Sequence, residues 1–454
     1  MDQRLIGHAT RNAPRYTSYP TAPHFTDPVG SGTYAGWLEA LEPDARLSLY
    51  LHVPFCRAMC AYCGCHTRAV RRREPIAGYA RTLREEIRLA ADHLDATRPG
   101  RDRPLVHLHW GGGTPSLLDP ADFAEIVALV ESRFDLRPDA EHAIELDPRT
   151  VTPELVATLA AAGVNRASLG VQDLNRQVQE AIGRVQDESI VRRVVSSLRG
   201  AGIGAINMDL MYGLPRQGTR EIERTADEAA AMRPQRIALF GYAHVPWLKT
   251  HQRLIDAAGL PGAMARIEQS EAAAGRLLLH GYVPVGIDHF ALPEDPLAVA
   301  AMTGTLRRNF QGYTTDPADA LIGFGASSIG RLPQGYVQNA PDVGGWRRAI
   351  EAGELPAVRG KMVDAHDIAR AEIIERLMCD FRVDPDAVFA KHHLAADGLD
   401  SSYDALEPLI ADGIAVREGP LVSVPSSRRP FARLVAAAFD TYLRRGAARH
   451  SAAV

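Results

Sequence analysis

The chain has 454 residues, 46% of them hydrophobic and 23% charged, with a formal net charge of -4; that length suggests two or three domains, or one large barrel with additions. The near balance of charge argues against nucleic acid and against an anionic membrane as partners, and no run of about eighteen apolar residues offers a membrane span. The first residues, MDQRLIGHATRNAPRYTSYPT, lack the apolar centre of a secretion signal, so the expected compartment is the cytoplasm, where clustered cysteines serve as ligands or redox groups more readily than as disulfides.

RLSLYLHVPF (Arg46 to Phe55) predicts a first buried strand, and EPIAGYARTLREEIRLAADHL, from Glu74, a helix with apolar residues at helical spacing. LVHLHW (Leu105 to Trp110) predicts a second strand, followed by a helix that begins near Asp119 and Pro120. HAIELD (His142 to Asp147) predicts a third. TPELVATLAAAG then opens a helix with Thr152 as N-cap and Pro153 at its first position, and Gly163 stops it. RASLGVQ (Arg166 to Gln172), AINMDLMYG (Ala205 to Gly213) and RIALFGYA (Arg236 to Ala243) predict three more strands, separated by ESIVRRVVSSLRGAG and EIERTADEAAAMRP. Such alternation predicts parallel strands with crossover helices, and six units in a row favour a full or partial barrel. From His244 to about Asn339 the pattern loosens; from about Asp364 it is helical. The expected organisation is an N-terminal arm over 1–44, a catalytic barrel with its extension over 45–350, and a mainly helical domain over 351–454. The last residues, HSAAV, are expected to be disordered.

Four of the five cysteines lie in YLHVPFCRAMCAYCGCHT: Cys56, Cys60, Cys63 and Cys65. The spacing C-x3-C-x2-C lets one short loop wrap three thiolates around a small object. A disulfide here would close a strained ring and leave a thiol over. Zinc, with Cys65 as fourth ligand, stays open on the cysteines alone. A cubane iron–sulfur cluster fits better, because no second knuckle is present and three thiolates leave one iron free.

C-x3-C-x2-C with an aromatic residue, Tyr62, before the last cysteine resembles the signature of the radical S-adenosylmethionine (SAM) superfamily. The resemblance implies a (β/α)6 partial barrel, with a [4Fe-4S] cluster on Cys56, Cys60 and Cys63 after the first strand. It also implies SAM chelated by the open iron and cleaved by an electron to a 5′-deoxyadenosyl radical. Barrel enzymes place their chemistry at the C-terminal ends of strands. Those ends carry WGGGTPS (to Ser116), Glu145, Gln172, Arg184 and Asp209. Taken singly, each is more often a tight turn or a salt bridge than a ligand contact.

PRYTSYPTA, SLYLHVPFC, CGC, LHWGGGTP, NMDLMYGLP, YAHVPW, GIDHFALPED, RNFQGYTT and CDFR extend the likeness to about residue 445. Over that span the chain resembles the oxygen-independent coproporphyrinogen III oxidase family. What the resemblance implies is decarboxylation of two propionates of coproporphyrinogen III to vinyl groups, giving protoporphyrinogen IX, with two SAM molecules in one site. Tyr50, Gly112 and Glu145 would contact the first. Tyr62, Gly113, Thr114, Gln172, Arg184, Asp209, Ala243 and Ile329 would contact one or the other, mostly the second. Cys65 is not a superfamily ligand: a nearby buried thiol is the favoured expectation and a part in the radical's electron path the alternative; Cys379 is expected in the core.

The implied substrate needs a wide, mostly apolar pocket with cationic anchors; Arg15, Arg307 and Arg308 are candidates, with Gln311 and Tyr313 beside them. The arm is expected to cover the open side of the barrel and exclude water. RAVRRRE (Arg68 to Glu74) is ordinarily a solvated face, and it also offers a dock for an acidic flavodoxin or ferredoxin. A monomer is the default expectation. The rival readings are a haem-trafficking chaperone of the same branch and a tetrapyrrole methyltransferase.

Overall fold

The computed structural model describes residues 3–96 and 103–443, so His450–Val454, expected to be disordered, lie outside the described residues. Strand β1 (Leu47–Val53) is buried at six of its seven positions, as befits a strand covered on both faces. Strands β2 (Pro104–Gly112), β3 (Asp135–Leu146), β4 (Arg166–Gln172), β5 (Ala205–Tyr212) and β6 (Arg236–Gly241) follow, each parallel to its predecessor. The crossovers are the helices Glu74–Asp95, Pro120–Arg133, Pro153–Ala161, Glu188–Gly200 and Thr219–Ala231. Their starts follow from side-chain capping. The Asp119 carboxylate accepts from the Ala121 amide, and the Thr152 hydroxyl from the Leu155 amide, each with proline in the first turn.

The six expected strands hold the middle of a larger sheet. The loosened stretch and its continuation add β7 (Val283–Val285), β8 (His289–Ala291), β9 (Ala320–Phe324), β10 (Ile329–Leu332), β11 (Gly335–Asn339) and β12 (Ala357–Met362). The order is β12-β11-β10-β9-β1-β2-β3-β4-β5-β6-β8-β7. β9 lies parallel to β1 on its free edge, and the remaining additions pair antiparallel. Because β12 pairs with β11, the sheet runs to Met362, past the boundary expected near residue 350.

One large core joins the sheet to its helices and includes Leu49, Trp110, Ile144 and Trp346. A second is built on helix Ala365–Cys379, where Cys379 is buried, and on the short helices after it. The arm divides between the two. Leu5, Ala9, Ala13, Tyr16 and Tyr19 enter the C-terminal core, whereas Tyr34 and Leu38 of helix Ser31–Glu39 enter the sheet core. Among the described residues no helix is long and apolar enough to cross a membrane.

A buried charged set closes the N-terminal ends of the strands. His107 on β2 meets Glu141 on β3 at 3.1 Å and Asp316 at 3.5 Å. Arg166 on β4 donates to Glu141 at 2.8 Å, and Arg236 on β6 to Asp295 at 2.8 Å. Functional side chains therefore gather at the other end.

Candidate active site

The cysteine loop leaves β1 and folds back on itself, because Phe55–Cys56 pairs in parallel with Arg68–Ala69. Neighbouring segments hold its backbone. The Ala61 amide donates to the Ile182 carbonyl at 2.9 Å, Gln252 Nε2 to that of Tyr62 at 2.9 Å and Lys249 Nζ to that of Cys65 at 2.9 Å; a ring nitrogen of His251 lies 2.7 Å from the Cys63 carbonyl oxygen. All four thiols are free. Thr67 and Thr114 place hydroxyls 3.2 and 3.4 Å from Cys56 Sγ, and Arg184 and Arg149 place guanidinium nitrogens 3.7 and 3.8 Å from Cys60 Sγ.

Donors and cations around sulfur favour the thiolate. Burial still pushes the Cys56 thiol up, with Thr114 and Thr67 partly offsetting it. A hydrogen bond from Cys65 leads in drawing Cys63 down to about 6, and the same contact raises Cys65, which keeps the shared proton. Three free thiols on one short loop, ringed by hydroxyl and guanidinium donors, fit a thiolate-held iron–sulfur cluster. Cys65 is exposed, which corrects the expectation of a buried thiol.

The Gly-rich turn after β2 lies against this loop. Gly112, at φ +117°, donates its amide to Glu145 Oε2 at 3.2 Å. Gly113 donates to the Val53 carbonyl at 2.9 Å. Tyr50 lies half-buried, its hydroxyl 3.0 Å from His52 Nδ1 and its ring stacked on His109, which reaches Glu145 Oε1 at 3.4 Å. Gln172, at the end of β4, adopts φ +67°, a conformation uncommon for a residue with a side chain and one that clusters at functional sites. Arg184 donates to the Gly170 carbonyl at 2.6 Å and meets Asp147 at 3.3 Å. Asp209 accepts from Ser168 at 3.1 Å and Asn207 at 2.8 Å; burial, then the charge of Glu145, pushes its carboxyl up to about 6. Tyr62 packs by Ala61, Val178 and Ile182. Ala243 follows β6, half-buried. The Ile329 carbonyl lies close against Gly323, the residue in register with Tyr50. These residues thus stand along the C-terminal ends of the parallel strands.

The residues considered for the substrate separate. Arg15 donates to the Gly241 carbonyl at 3.1 Å, which carries the arm to the end of β6. Arg308 donates to the carbonyls of Arg15 and Tyr16, each at 3.2 Å, and lies over the Tyr313 ring. Both amide atoms of Gln311 are buried without a hydrogen-bond partner. Tyr313 does not face a pocket: it is buried, accepting from the Ile287 amide and donating to the Met378 carbonyl at 2.7 Å, and so it packs its loop. Arg307 is exposed on a cavity of about 1220 Å³ that also has Arg46, Asp319 and Arg331 on its walls. That cavity is also lined by Arg308 and Tyr16; Arg307 lies in its part near Asp319, ahead of β9 and about 20 Å of strand from the cysteine loop.

His52, Thr67, His109, Asp147 and Arg149 were missed. The two histidines had a signal: in YLHV and LHLHW they alternate with core residues and share a face with Tyr50 or the Gly-rich turn. Arg266 and Arg433 also reach this region from helices far along the chain, with no local pattern to mark them.

A model of the radical SAM superfamily matches residues 50–229. The chain is 48% identical over 449 residues to an oxygen-independent coproporphyrinogen III oxidase of Bradyrhizobium diazoefficiens, covering 99% of each chain. It is 42% identical to that of Paracoccus denitrificans over 450 residues, 99% of this chain and 98% of that one. The solved structure of Escherichia coli coproporphyrinogen III oxidase (HemN), a radical SAM enzyme, superposes with a TM-score of 0.90 at 34% identity, over 97% of this chain and 99% of that one. With cysteine loop, strand ends and full-length likeness in agreement, the chain belongs to the oxygen-independent coproporphyrinogen III oxidase family of the radical SAM superfamily.

Proposed function

We propose that the chain performs the anaerobic oxidative decarboxylation of two propionates of coproporphyrinogen III, giving the vinyl groups of protoporphyrinogen IX. The observation that carries this reading is the placement of three free thiols beside a Gly-rich turn and two carboxylates, Glu145 and Asp209, at the C-terminal ends of the parallel strands of one sheet. Cys56, Cys60 and Cys63 would hold the [4Fe-4S] cluster, with Thr67, Thr114, Arg149 and Arg184 steadying the sulfurs. Cluster and SAM, when bound, supply a hydrogen-abstracting radical.

The chain's own part is binding, orientation and exclusion of water. Glu145 and Asp209 suit ribose hydroxyls or the sulfonium charge, and Gln172 and Arg184 a methionyl group. Tyr50, Tyr62, Gly112, Gly113, Thr114, Ala243 and Ile329 complete the proposed contacts to two SAM molecules. The arm, tied to Gly241 through Arg15 and to Arg308 through two carbonyls, covers the open side of the barrel. Arg71 to Arg73, exposed beside the cysteine loop, suit an acidic flavodoxin or ferredoxin as electron donor. The proposed setting is a cytoplasmic monomer.

The test is an anaerobic assay of reconstituted protein with reductant, SAM and coproporphyrinogen III. Loss of two CO2 per substrate is the expected outcome. Gain of a methyl group, or haem binding without turnover, would overturn the reading.

A further inference from the structure

Four guanidinium groups from four distant segments meet around the ends of β5, β6 and β8. Arg15 comes from the arm, Arg266 from helix Ala263–Leu279, Arg308 from the hairpin Arg307–Thr314 and Arg433 from helix Ala432–Ala437. Backbone carbonyls position them: Arg15 donates to Gly241, Arg266 to Tyr242 at 2.9 Å, Arg308 to Arg15 and Tyr16, and Arg433 to Ala13 at 3.4 Å. Arg266 also lies over the Tyr212 ring and so close to Gly213 and Gly241 that a Cβ on Gly213 would fall 2.5 Å from its Nη1.

Two carboxylates face the group. Asp288 is held by His289 Nδ1 at 2.7 Å and feels Arg15 and Arg308; Asp440 accepts from the Tyr16 hydroxyl at 3.0 Å and from two backbone amides. Glu375 is turned to the Arg308 amide and to Arg376. Arg15 is exposed and Arg266 and Arg308 are half-buried, so an anionic ligand can reach this convergence of four guanidiniums. Burial leads in lowering Arg15, Arg266 and Arg433, the last to about 10, and neighbouring guanidiniums add to each. Arg308 Nη1 and both Gln311 amide atoms are buried without partners. The wall adjoins the proposed nucleotide site, since Asp209 feels both Glu145 and His289.

We propose that Arg266 and Arg433, with Arg15 and Arg308, form a carboxylate-binding wall that grips propionates of the porphyrinogen and selects substrates by their carboxylates. This rests on the decarboxylase reading above. A methionyl carboxylate shares the chemistry, but Arg184 at the cysteine loop already suits it.

The test uses full-length reconstituted protein and the variants Arg266→Gln, Arg266→Lys and Arg433→Gln. Binding of coproporphyrin III, the stable oxidised tetracarboxylate, is read by fluorescence quenching beside its tetramethyl ester and beside SAM. Each Gln variant should weaken coproporphyrin binding by about tenfold or more, lose the preference for acid over ester, and keep its SAM affinity; Arg266→Lys should recover part of the loss. Unchanged coproporphyrin affinity in the Gln variants, or a loss confined to SAM, overturns the wall. If Arg433→Gln melts early, the two Arg266 variants decide. A wild type that converts no porphyrinogen removes the reading beneath; a wild type that converts it while both Gln variants bind coproporphyrin normally removes only the wall.

Discussion

A Cβ placed on Gly113 would fall 2.3 Å from Thr67 Oγ1 and 2.6 Å from the Phe55 carbonyl oxygen. The Gly-rich turn was expected to let backbone approach a ligand. At Gly113 it lets backbone approach the cysteine loop, and the Thr114 hydroxyl beside it reaches Cys56 Sγ at 3.4 Å. Turn and loop are one packed unit. Gly113→Ala should therefore displace the loop, with iron and sulfide per chain after reconstitution falling by about half or more while the fold stays intact. Full iron content in that variant would mean the loop can shift without losing its metal.

Asp209 gives a pH signature. Its carboxyl is raised to about 6 by burial first and Glu145 second, with Asn207 and Ser168 holding it partly back. Above that value it is an anion able to accept from ribose hydroxyls; below it the acceptor is lost. SAM affinity should weaken several-fold as pH falls from about 7.5 to 5. Asp209→Asn should bind weakly at pH 7.5 and show no such inflection. A wild-type affinity flat across this range would remove Asp209 from the nucleotide site.

The arginine run after the loop tests the electron donor. Arg71, Arg72 and Arg73 are exposed, whereas Arg68 packs over Phe55, so the first three can be reversed without touching the loop's packing. Arg71→Glu with Arg72→Glu should slow reduction by flavodoxin or ferredoxin by about tenfold at low salt and flatten its dependence on ionic strength. Reduction by dithionite should not change. Equal rates with the protein donor would place docking elsewhere.

The arm is expected to act by excluding water. Removing residues 1–25 also strips Leu5, Ala9, Ala13, Tyr16 and Tyr19 from the C-terminal core, so melting must be followed alongside activity. The expected result is SAM cleavage without matching decarboxylation. Cleavage and decarboxylation still matched in a folded truncated protein would refute the cover.

What was legible in the sequence follows physical range. Arg166–Gln172 is a strand with the limits read from RASLGVQ, and Thr152 caps its helix, because period and caps are local signals. The cysteine spacing is equally local. The outer strands were not legible: β7 to β12 are three to six residues long and owe their pairing to partners elsewhere in the chain. Arg266 and Arg433 were invisible for the same reason, since what sets them apart is the company the fold gives them. Tyr313 and Arg307 sit in a motif that carries the family likeness, but a motif does not say which way its side chains turn.

The closed end of the barrel sets an alkaline limit on stability. Burial alone would lower His107, but hydrogen bonds and charge from Asp316 and Glu141 outweigh it and push it up to about 9 from 6.5. The folded state thus holds a proton that the unfolded chain releases. Its contribution is full below about pH 6.5 and is lost as pH rises through about 9, with a size on the order of 3 kcal/mol. The carboxylates work the other way: Glu141 and Asp316 are held below their usual range despite burial, so their contribution disappears only in acid. Stability should be greatest between these limits. His107→Gln should lower the melting temperature at pH 6 and cost progressively less toward pH 9.5, where the wild type has lost the same charge. Melting curves for the two proteins that stay equally far apart from pH 6 to 9.5 would show that His107 is not the group that titrates.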